Sequence, residues 1–374
     1  MGLQKTNETL DSQQRIVEQV VELRSYIGEQ FDRLRPPLYK EYLKVAVARQ
    51  QLMRTLFFAD LGVHQLEITL PVAHTFQWIM NEHAPPVTAS LKGELNFPSW
   101  LREEQNSIFW ISGKAGSGKS TLMSYILKHK SIQRQLKIWA NGRPLHMIGY
   151  FANYQIERNA SPQGLLRTVL YQLLDAIPCL TVPPLLLQLH GEVWTETELR
   201  LLLDLVLRSP EAQQRCFCIL LDGLDEVDEF TDDHLKMILS LEYYLNVKCC
   251  VSARPWSIFA RRLGRGNRLV MQDLTKADID SYVKSSFESY GMSHLMTSEV
   301  MSEIHEKACG VFLWVVLVMQ VLQRGMHTTT DLHDFRAQLS KMPSELNKCL
   351  EMWPDISLDI MPMRYRLHGR MRRS

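Results

Sequence analysis

One stretch of the chain decides its fold: Ile108-Phe109-Trp110-Ile111-Ser112-Gly113-Lys114-Ala115-Gly116-Ser117-Gly118-Lys119-Ser120-Thr121. An apolar segment there runs directly into the pattern G-x-x-x-x-G-K-[ST], a loop whose backbone N–H groups surround nucleotide phosphates. The apolar segment predicts a buried strand, and the residues from Ser120 to Lys130 predict a helix whose N-terminus favours an anion. Because the loop stands between a strand and a helix, the stretch predicts a nucleotide-binding α/β domain.

The loop residues are all candidate nucleotide ligands. The candidates are Gly113, Lys114, Ala115, Gly116, Ser117, Gly118, Lys119, Ser120 and Thr121. The glycines allow the backbone to turn its N–H groups inward. Lys119 is predicted to place its charge near the β- and γ-phosphates, and the hydroxyl of Ser120 is a candidate ligand for Mg²⁺.

A second segment supplies the acid that such a loop needs. Six apolar residues, Cys216 to Leu221, follow one another without alternation, which is typical of a strand buried on both faces. Asp222 stands at its carboxyl end and is predicted to hold Mg²⁺ through water. Asp225 and Glu226 are candidates to orient or deprotonate the attacking water. A buried strand followed by a merely acidic turn is the plain alternative.

A third apolar strand begins at Val247 and ends at the polar residues Ser252 and Arg254. An arginine in that place is a candidate to sense the γ-phosphate and to stabilise charge in the transition state. The simpler interpretation is a surface arginine at the end of a strand.

Strands and helices alternate through the middle of the chain. The further predicted elements are a strand at 145–152, a helix at 161–176, a helix from the capping box Thr195-x-x-Glu198 to Leu207, a helix at 233–241 and a strand at 268–271. Together they predict an α/β fold in which five parallel strands are covered by helices and joined by right-handed crossovers. From Thr275 onward the pattern is helical, which predicts a lid over the nucleotide.

The chain is predicted to contain five regions. They are an N-terminal helical region at 1–81, a connector at 82–107, the P-loop NTPase domain at 108–274, a helical lid domain at 275–350 and an irregular basic tail at 351–374.

Two terminal features leave alternatives open. An amphipathic helix with apolar residues from Ile16 to Leu34 either packs on the chain's own core or forms a stalk toward an effector or another protomer. The methionine- and arginine-rich tail is either a basic binding arm or the product of a truncated or frame-shifted gene model.

Composition excludes several classes of function. The formal net charge is +1, with 42 Lys and Arg against 41 Asp and Glu, so no overall field attracts nucleic acid. The seven cysteines include no C-x-x-C pair, which favours a reduced, cytoplasmic location. The longest apolar run, Val311 to Met319, is too short to span a membrane. Gly2 fits the N-myristoylation pattern M-G-x-x-x-[ST], and whether it is modified stays open.

Several motifs resemble those of the NACHT group of STAND P-loop NTPases. Their residue sequences are most similar to those of fungal proteins of the NOD-like receptor and heterokaryon-incompatibility type. The resemblance extends over roughly residues 55 to 350. The motifs are Thr75-Phe76-Gln77-Trp78-Ile79, Phe97-Pro98-Ser99-Trp100-Leu101, Ile108-Phe109-Trp110-Ile111-Ser112, Asp222-Gly223-Leu224-Asp225-Glu226, Ser252-Ala253-Arg254-Pro255-Trp256 and Gly310-Val311-Phe312-Leu313-Trp314.

The resemblance implies a molecular switch. Such proteins hold ADP in a closed state, exchange it for ATP or GTP with Mg²⁺, and form homo-oligomers that bring effector domains together. Their hydrolysis is slow and resets the switch. The resemblance also implies that the arginine-tipped strand lies between the P-loop strand and the acid-tipped strand.

The chain departs from the family pattern in several places. No effector domain, sensor repeats or winged-helix region is recognisable in it, and Phe312 and Leu313 stand where related switches often have a proline that touches the base. A truncated or hydrolysis-dead nucleotide-binding scaffold is therefore an open alternative. A P-loop kinase is a third hypothesis, but no arginine-rich lid cluster supports it. The choice between ATP and GTP stays open.

Overall fold

The structure is a computed structural model that describes residues 44–58, 75–80, 96–104, 108–152, 159–180, 193–325 and 331–353. It divides into two compact units, Met1–Thr55 with Pro178–His190 and Leu56–Ile177 with Gly191–Ser374. The predicted helix at Ile16–Leu34, Gly2 and all of the tail beyond Trp353 lie outside the described residues. The described residues of the first unit belong mainly to helix α1, which spans residues 44–56.

A five-stranded sheet forms the centre of the second unit. All of its neighbouring strands are parallel, and their order is β2-β3-β4-β1-β5. The strands are β1 (Ile108–Ser112), β2 (Leu145–Phe151), β3 (Cys216–Asp222), β4 (Val247–Ala253) and β5 (Arg268–Val270). The predicted α/β fold with five parallel strands is confirmed, and β4 lies between β1 and β3 as the resemblance implies.

The three central strands are buried along their whole length. Every residue of β1, β3 and β4 is buried, which explains why these strands are mostly apolar without alternation, although β4 also buries Lys248 and Ser252. Cys216 and Cys218 lie in this core as thiols, and burial raises the pKa of Cys218 to about 12. These cysteines contribute to packing, as their positions on a buried strand predict.

Helices surround the sheet and continue beyond it. They are α2 (Phe97–Arg102), α3 (Lys119–Lys128), α4 (Lys130–Ala140), α5 (Pro162–Ala176), α6 (Glu196–Arg208), α7 (Pro210–Gln213), α8 (Asp232–Leu239), α9 (Ser257–Leu263), α10 (Met271–Leu274), α11 (Lys276–Ser289), α12 (Ser298–Ala308), α13 (Phe312–Gly325), α14 (Leu332–Lys341) and α15 (Leu346–Met352). The last five form a helical region with its own apolar core, centred on Trp314 and Phe335.

Most predicted helices that follow the P-loop are present with ends shifted by one or two residues. The capping box of α6 is also present, since Thr195 and Glu198 each accept the other's backbone N–H. Six of the helices were not predicted, namely α2, α4, α7, α9, α10 and α15.

Helix α2 shows what the predicted connector at 82–107 contains. The side chain of Asn96 accepts the backbone N–H of Ser99 at 2.8 Å, and Pro98 stands in the first turn. Both are features of a helix start. The rest of that range is largely outside the described residues, and the predicted boundaries between regions remain predictions.

Within the described ranges, no helix combines the length and the apolar character needed to cross a membrane.

Candidate functional site: a phosphate-binding edge of the sheet

The predicted site residues meet at the carboxyl edge of three adjacent strands. The P-loop follows β1, Asp222 ends β3, and Arg254 comes directly after β4. Because β1 and β4 pair in parallel, Ser112 lies opposite Ala253, and the polar residues that follow them share one edge. Three segments that are far apart in the sequence are thus brought together into a single site.

Glycines shape the P-loop into a cradle. Gly116 and Gly118 have φ angles of 72° and 93°, a left-handed conformation that favours glycine. A Cβ on Gly113 would lie 2.6 Å from the hydroxyl oxygen of Ser117 and 2.9 Å from Cβ of Met271, so neighbouring side chains would have to shift to admit one. Helix α3 begins at Lys119 without a side-chain cap, and the N-terminus of a helix favours an anion.

Lys119 lies inside this cradle. Its Nζ donates to the carbonyl oxygens of Gly113 at 2.9 Å and Lys114 at 3.0 Å. Burial lowers its pKa, while the charges of Asp225 and Asp222 act in the opposite direction. In the part of the chain that the structure describes, its ammonium forms no ion pair, so an incoming phosphate would be its charged partner.

Asp222 is held in place by a neighbouring strand. Its side chain is fully buried, and the hydroxyl of Ser252 on β4 donates to its Oδ1. The same hydroxyl oxygen accepts the backbone N–H of Gly223 at 3.0 Å. Ser252 therefore fixes the orientation of the predicted metal-binding carboxylate. The sequence indicated only that Ser252 is a polar strand end, because the contact depends on the register of two strands distant in sequence.

Asp225 and Arg254 form an ion pair. The Nε of Arg254 lies 2.9 Å from Oδ2 of Asp225, and the backbone N–H of Arg254 donates to Oδ1 at 3.0 Å. Glu226 ends the same short 3₁₀ turn, Leu224–Glu226, and its side chain is half-buried. The structure brings all three predicted catalytic residues to the carboxyl edge of the sheet, beside the P-loop.

The helical region contacts the P-loop directly. The backbone N–H of Leu313, in the first turn of α13, donates to the carbonyl of Gly116 at 3.0 Å. The Nζ of Lys114 donates to the carbonyl of Cys309 at 3.3 Å. A Cβ on Gly116 would lie 3.0 Å from Leu346, so the loop and the helices are closely packed.

Gly310 allows this approach. Its φ is 75°, and a Cβ there would lie 2.5 Å from the carbonyl oxygen of Gln272. Thr275 donates its hydroxyl to the carbonyl of Gly310 at 3.2 Å. Only glycine therefore fits in the turn between α12 and α13, where the backbone approaches Gln272 of α10.

The segment Thr75–Met80 packs against helices α3 and α11. The ring of Phe76 packs on Tyr125 of α3, with 5.8 Å between ring centroids. Asp278 of α11 accepts the indole N–H of Trp78 at 2.8 Å and the backbone N–H of Phe76 at 3.3 Å, and burial raises its pKa. Within this segment, Gln77–Met80 forms a 3₁₀ helix.

The residues fit a polyphosphate with a magnesium ion. Ser117 is buried, and its hydroxyl has no hydrogen-bond partner within the described ranges. The described residues contain no group of three or more His, Cys, Asp or Glu side chains that could hold a metal. Mg²⁺ in nucleotide sites takes one or two protein ligands and completes its shell with phosphate and water. Ser120 and Asp222 are suited to that role.

Three comparisons with known proteins bear on the chain. The family model described as "Nephrocystin 3, N-terminal" matches residues 90–254, a range that begins before the P-loop and ends at Arg254. No curated protein matches. A chain in "Structure of Drosophila ORC bound to DNA" is similar at 12% identity and a TM-score of 0.40, over 74% of this chain and 71% of that chain.

Proposed function

We propose that the chain is a nucleotide-dependent switch that binds Mg²⁺ with ATP or GTP through its P-loop and hydrolyses the nucleotide slowly. The proposal includes a signalling role of the fungal NACHT type, a cytoplasmic location and a homo-oligomer in the triphosphate state. The motif resemblance from Thr75 to Trp314 supports these finer assignments.

The nucleotide site rests on charge and shape together. The glycine cradle at 113–118 leaves room for phosphate oxygens, and Lys119 adds a cation that lacks an ion-pair partner among the described residues. Asp222, held by Ser252, is the acid expected beside a nucleotide-bound Mg²⁺. When bound, Mg²⁺ neutralises charge on the β- and γ-phosphates.

The single observation that favours a switch is the contact between the helical region and the loop. Leu313 donates its backbone N–H to Gly116, a residue of the phosphate cradle itself. Any movement of the cradle on gain or loss of a phosphate therefore changes a contact made by α13. A packed interface of this kind has few arrangements, so a small displacement can shift the position of a whole region.

The chain's own residues divide the work of hydrolysis. The P-loop N–H groups and Lys119 bind and orient the phosphates. The acids after β3, Asp225 and Glu226, are candidates to orient or deprotonate the attacking water. Arg254 is the candidate to stabilise charge that develops on the γ-phosphate.

The proposal is tested by measuring binding, turnover and molecular size with one preparation. We expect fluorescent ADP, ATP or GTP to bind the wild-type chain and not Lys119→Ala, while the exposed-lysine control Lys137→Ala binds normally. Single-turnover hydrolysis should be far slower than the roughly 1–100 s⁻¹ of kinases. Light scattering should report a larger particle with a non-hydrolysable triphosphate than with ADP.

Each contrary result identifies a different function. Rapid phosphoryl transfer to an acceptor would indicate a turnover enzyme. Tight binding without hydrolysis or change in size would indicate a nucleotide-binding scaffold. Absence of binding by the wild-type chain would disprove the proposal.

A further inference from the structure

The segment Thr75–Met80 is anchored in the sheet domain by apolar side chains. Phe76 and Ile79 are buried and belong to the same apolar core as Met123 of α3. The ring of Phe76 also approaches the last glycine of the P-loop, since a Cβ on Gly118 would lie 3.7 Å from the Cζ of that ring. The segment is therefore fixed to the helix that follows the phosphate cradle.

The backbone of Phe76 shows how firmly the segment is held. Its φ is 65°, in the left-handed region that bulky residues rarely adopt. Such a conformation persists only where the surrounding structure imposes it. The ring of Phe76 packs on Tyr125 of α3, and its backbone N–H donates to Asp278 of α11, so contacts on two sides impose it here.

The contact of the segment with the helical region is polar. Oδ2 of Asp278 accepts the indole N–H of Trp78 at 2.8 Å and the backbone N–H of Phe76 at 3.3 Å. The carboxylate is buried, and no cation among the described residues forms an ion pair with it. Burial raises the pKa of Asp278, and the two N–H groups act in the opposite direction. A buried carboxylate without such donors is costly, so this position on α11 fits the segment.

The two sides of the segment differ in how readily they separate. Withdrawing Phe76 and Ile79 from the core would expose apolar surface to water. The carboxylate of Asp278 and the two N–H groups would instead exchange their hydrogen bonds for bonds to water, which makes the net loss modest. The contact with α11 is therefore the one that can open reversibly.

Building on the proposed function, we infer that Asp278 and the N–H groups of Phe76 and Trp78 form a latch that holds the helical region closed over the P-loop. In the proposed switch the latch is engaged in the ADP form and opens in the triphosphate form. The segment Thr75–Met80 stays with α3, and Asp278 moves away with α11. The latch explains why a tryptophan and an aspartate 200 positions apart are paired.

The first test measures nucleotide release by stopped flow. D278N should speed the dissociation of fluorescent ADP about tenfold, the value of one charge-assisted hydrogen bond. W78F keeps an aromatic ring and removes only the indole donor, so the increase should be smaller, about threefold. The double variant should match D278N, because both changes remove the same contact. Single-turnover hydrolysis of bound triphosphate should stay within about twofold, since the latch contacts no reacting group.

Two variants serve as matched controls. E288Q alters an exposed carboxylate on the same helix as Asp278. Y125F keeps the ring on which Phe76 packs and removes only its hydroxyl. Both should release ADP at the wild-type rate.

The second test measures hydrogen exchange in peptides that cover residues 75–80 of the full chain. In the wild type, the backbone N–H of Phe76 should exchange about tenfold faster with a non-hydrolysable triphosphate than with ADP, because Asp278 no longer accepts it. In D278N the ADP form should already exchange at the faster rate. Helix α14, which lies within the helical region, should exchange equally in both nucleotide forms.

Two results would overturn the inference and leave the proposed function intact. One is equal exchange at Phe76 in the two nucleotide forms of a chain that binds both. The other is release of ADP at the wild-type rate by D278N. Thermal unfolding shows whether D278N is folded, and W78F decides the question if it is not. A wild-type chain that binds no nucleotide would instead refute the proposed function and the latch with it.

Discussion

Two lysines lie at opposite edges of the same sheet, and their surroundings differ completely. Lys119 is at the carboxyl edge, where its Nζ contacts two backbone carbonyls near several acids. Lys248 is the second residue of β4, at the amino edge, and is fully buried. Its Nζ lies 5.2 Å from the ring centroid of Trp100 and 5.1 Å from that of Trp139.

Burial lowers the pKa of both lysines, but the groups that act to raise it again differ. Around Lys119 the opposing contribution comes from the charges of Asp225 and Asp222, which belong to the proposed nucleotide site. Burial lowers the pKa of Lys248 to about 8 although Cys218 and Glu103 act to raise it, and the rings of Trp100 and Trp139 both lie near its cation. A buried lysine can therefore bind an anionic ligand only where its ammonium group is accessible to that ligand, as at the P-loop, and not where aromatic rings enclose it.

The largest expected effect is loss of nucleotide affinity in Lys119→Ala. Two charge-assisted hydrogen bonds to phosphate contribute together about 4 kcal/mol, which corresponds to about 1,000-fold in affinity. Lys248→Met removes the other buried lysine and should leave affinity within about twofold, because it lies at the far edge. Titration calorimetry with Mg²⁺ and nucleotide measures both. Equal losses in the two variants would remove the distinction between the lysines.

The second effect concerns stability. The folded pKa of Lys248, about 8, is below the unfolded value of 10.5, so the unfolded chain binds more protons between these pH values. The unfolding free energy of the wild type should therefore rise by about 3 kcal/mol from pH 8 to pH 10.5 relative to Lys248→Met. Urea unfolding at pH 7, 8, 9 and 10 checks this. Parallel curves for the two proteins would mean that Lys248 titrates normally.

The third effect separates the P-loop from the helical region. In Gly310→Ala the new Cβ meets the carbonyl oxygen of Gln272, so the helices should move away from the cradle. Loss of the contact between Leu313 and Gly116 should speed nucleotide dissociation about tenfold, since a hydrogen bond and its packing contribute about 1–1.5 kcal/mol. Stopped-flow release of a fluorescent nucleotide measures the rate.

A matched control exists for that variant. Gly142 also has a positive φ, of 80°, but a Cβ there meets nothing within 4 Å. Gly142→Ala therefore carries the backbone strain without the clash. If it speeds nucleotide dissociation as much as Gly310→Ala does, the close approach of the helices is irrelevant to release.

The smallest expected effect is on the carboxylate of Asp222. Ser252→Ala removes the hydroxyl that connects Asp222 with Gly223, so the concentration of Mg²⁺ for half-maximal hydrolysis should rise about fivefold, the value of one hydrogen bond of about 1 kcal/mol. Ser257→Ala, at an exposed position on α9, is the control. An unchanged requirement for Mg²⁺ in Ser252→Ala would show that this hydroxyl does not position the metal-binding acid.

Much of the fold could be predicted from the sequence because it depends on local patterns. Apolar runs, unbroken in β3 and interrupted by Lys248 in β4, indicated the buried strands β1, β3 and β4, and capping residues such as Thr195 marked helix starts. The position of β4 between β1 and β3 came from the family resemblance, because strand order depends on contacts that periodicity does not contain. Helix α2 was missed because its start, Asn96-x-x-Ser99, lies in a stretch whose prolines suggested a connector.

The sequence was enough to predict which residues belong to the site, but not which side chains contact one another there. The P-loop, Asp222, Asp225, Glu226 and Arg254 follow strand ends, and parallel strands bring their ends together. The ion pair of Asp225 with Arg254 and the bond from Ser252 to Asp222 depend on register and side-chain reach, which a single sequence does not specify. The burial of Lys248 could have been suspected, since a lysine interrupts an otherwise apolar strand.

The central claim is that the carboxyl edge of the sheet holds a nucleotide. The most direct measurement is to purify the chain, denature it, and identify by chromatography any nucleotide that it releases, with Lys119→Ala as the control. We expect close to one ADP per wild-type chain and none from the variant. Absence of nucleotide from both proteins, even after incubation with Mg²⁺ and ATP or GTP, would contradict the account.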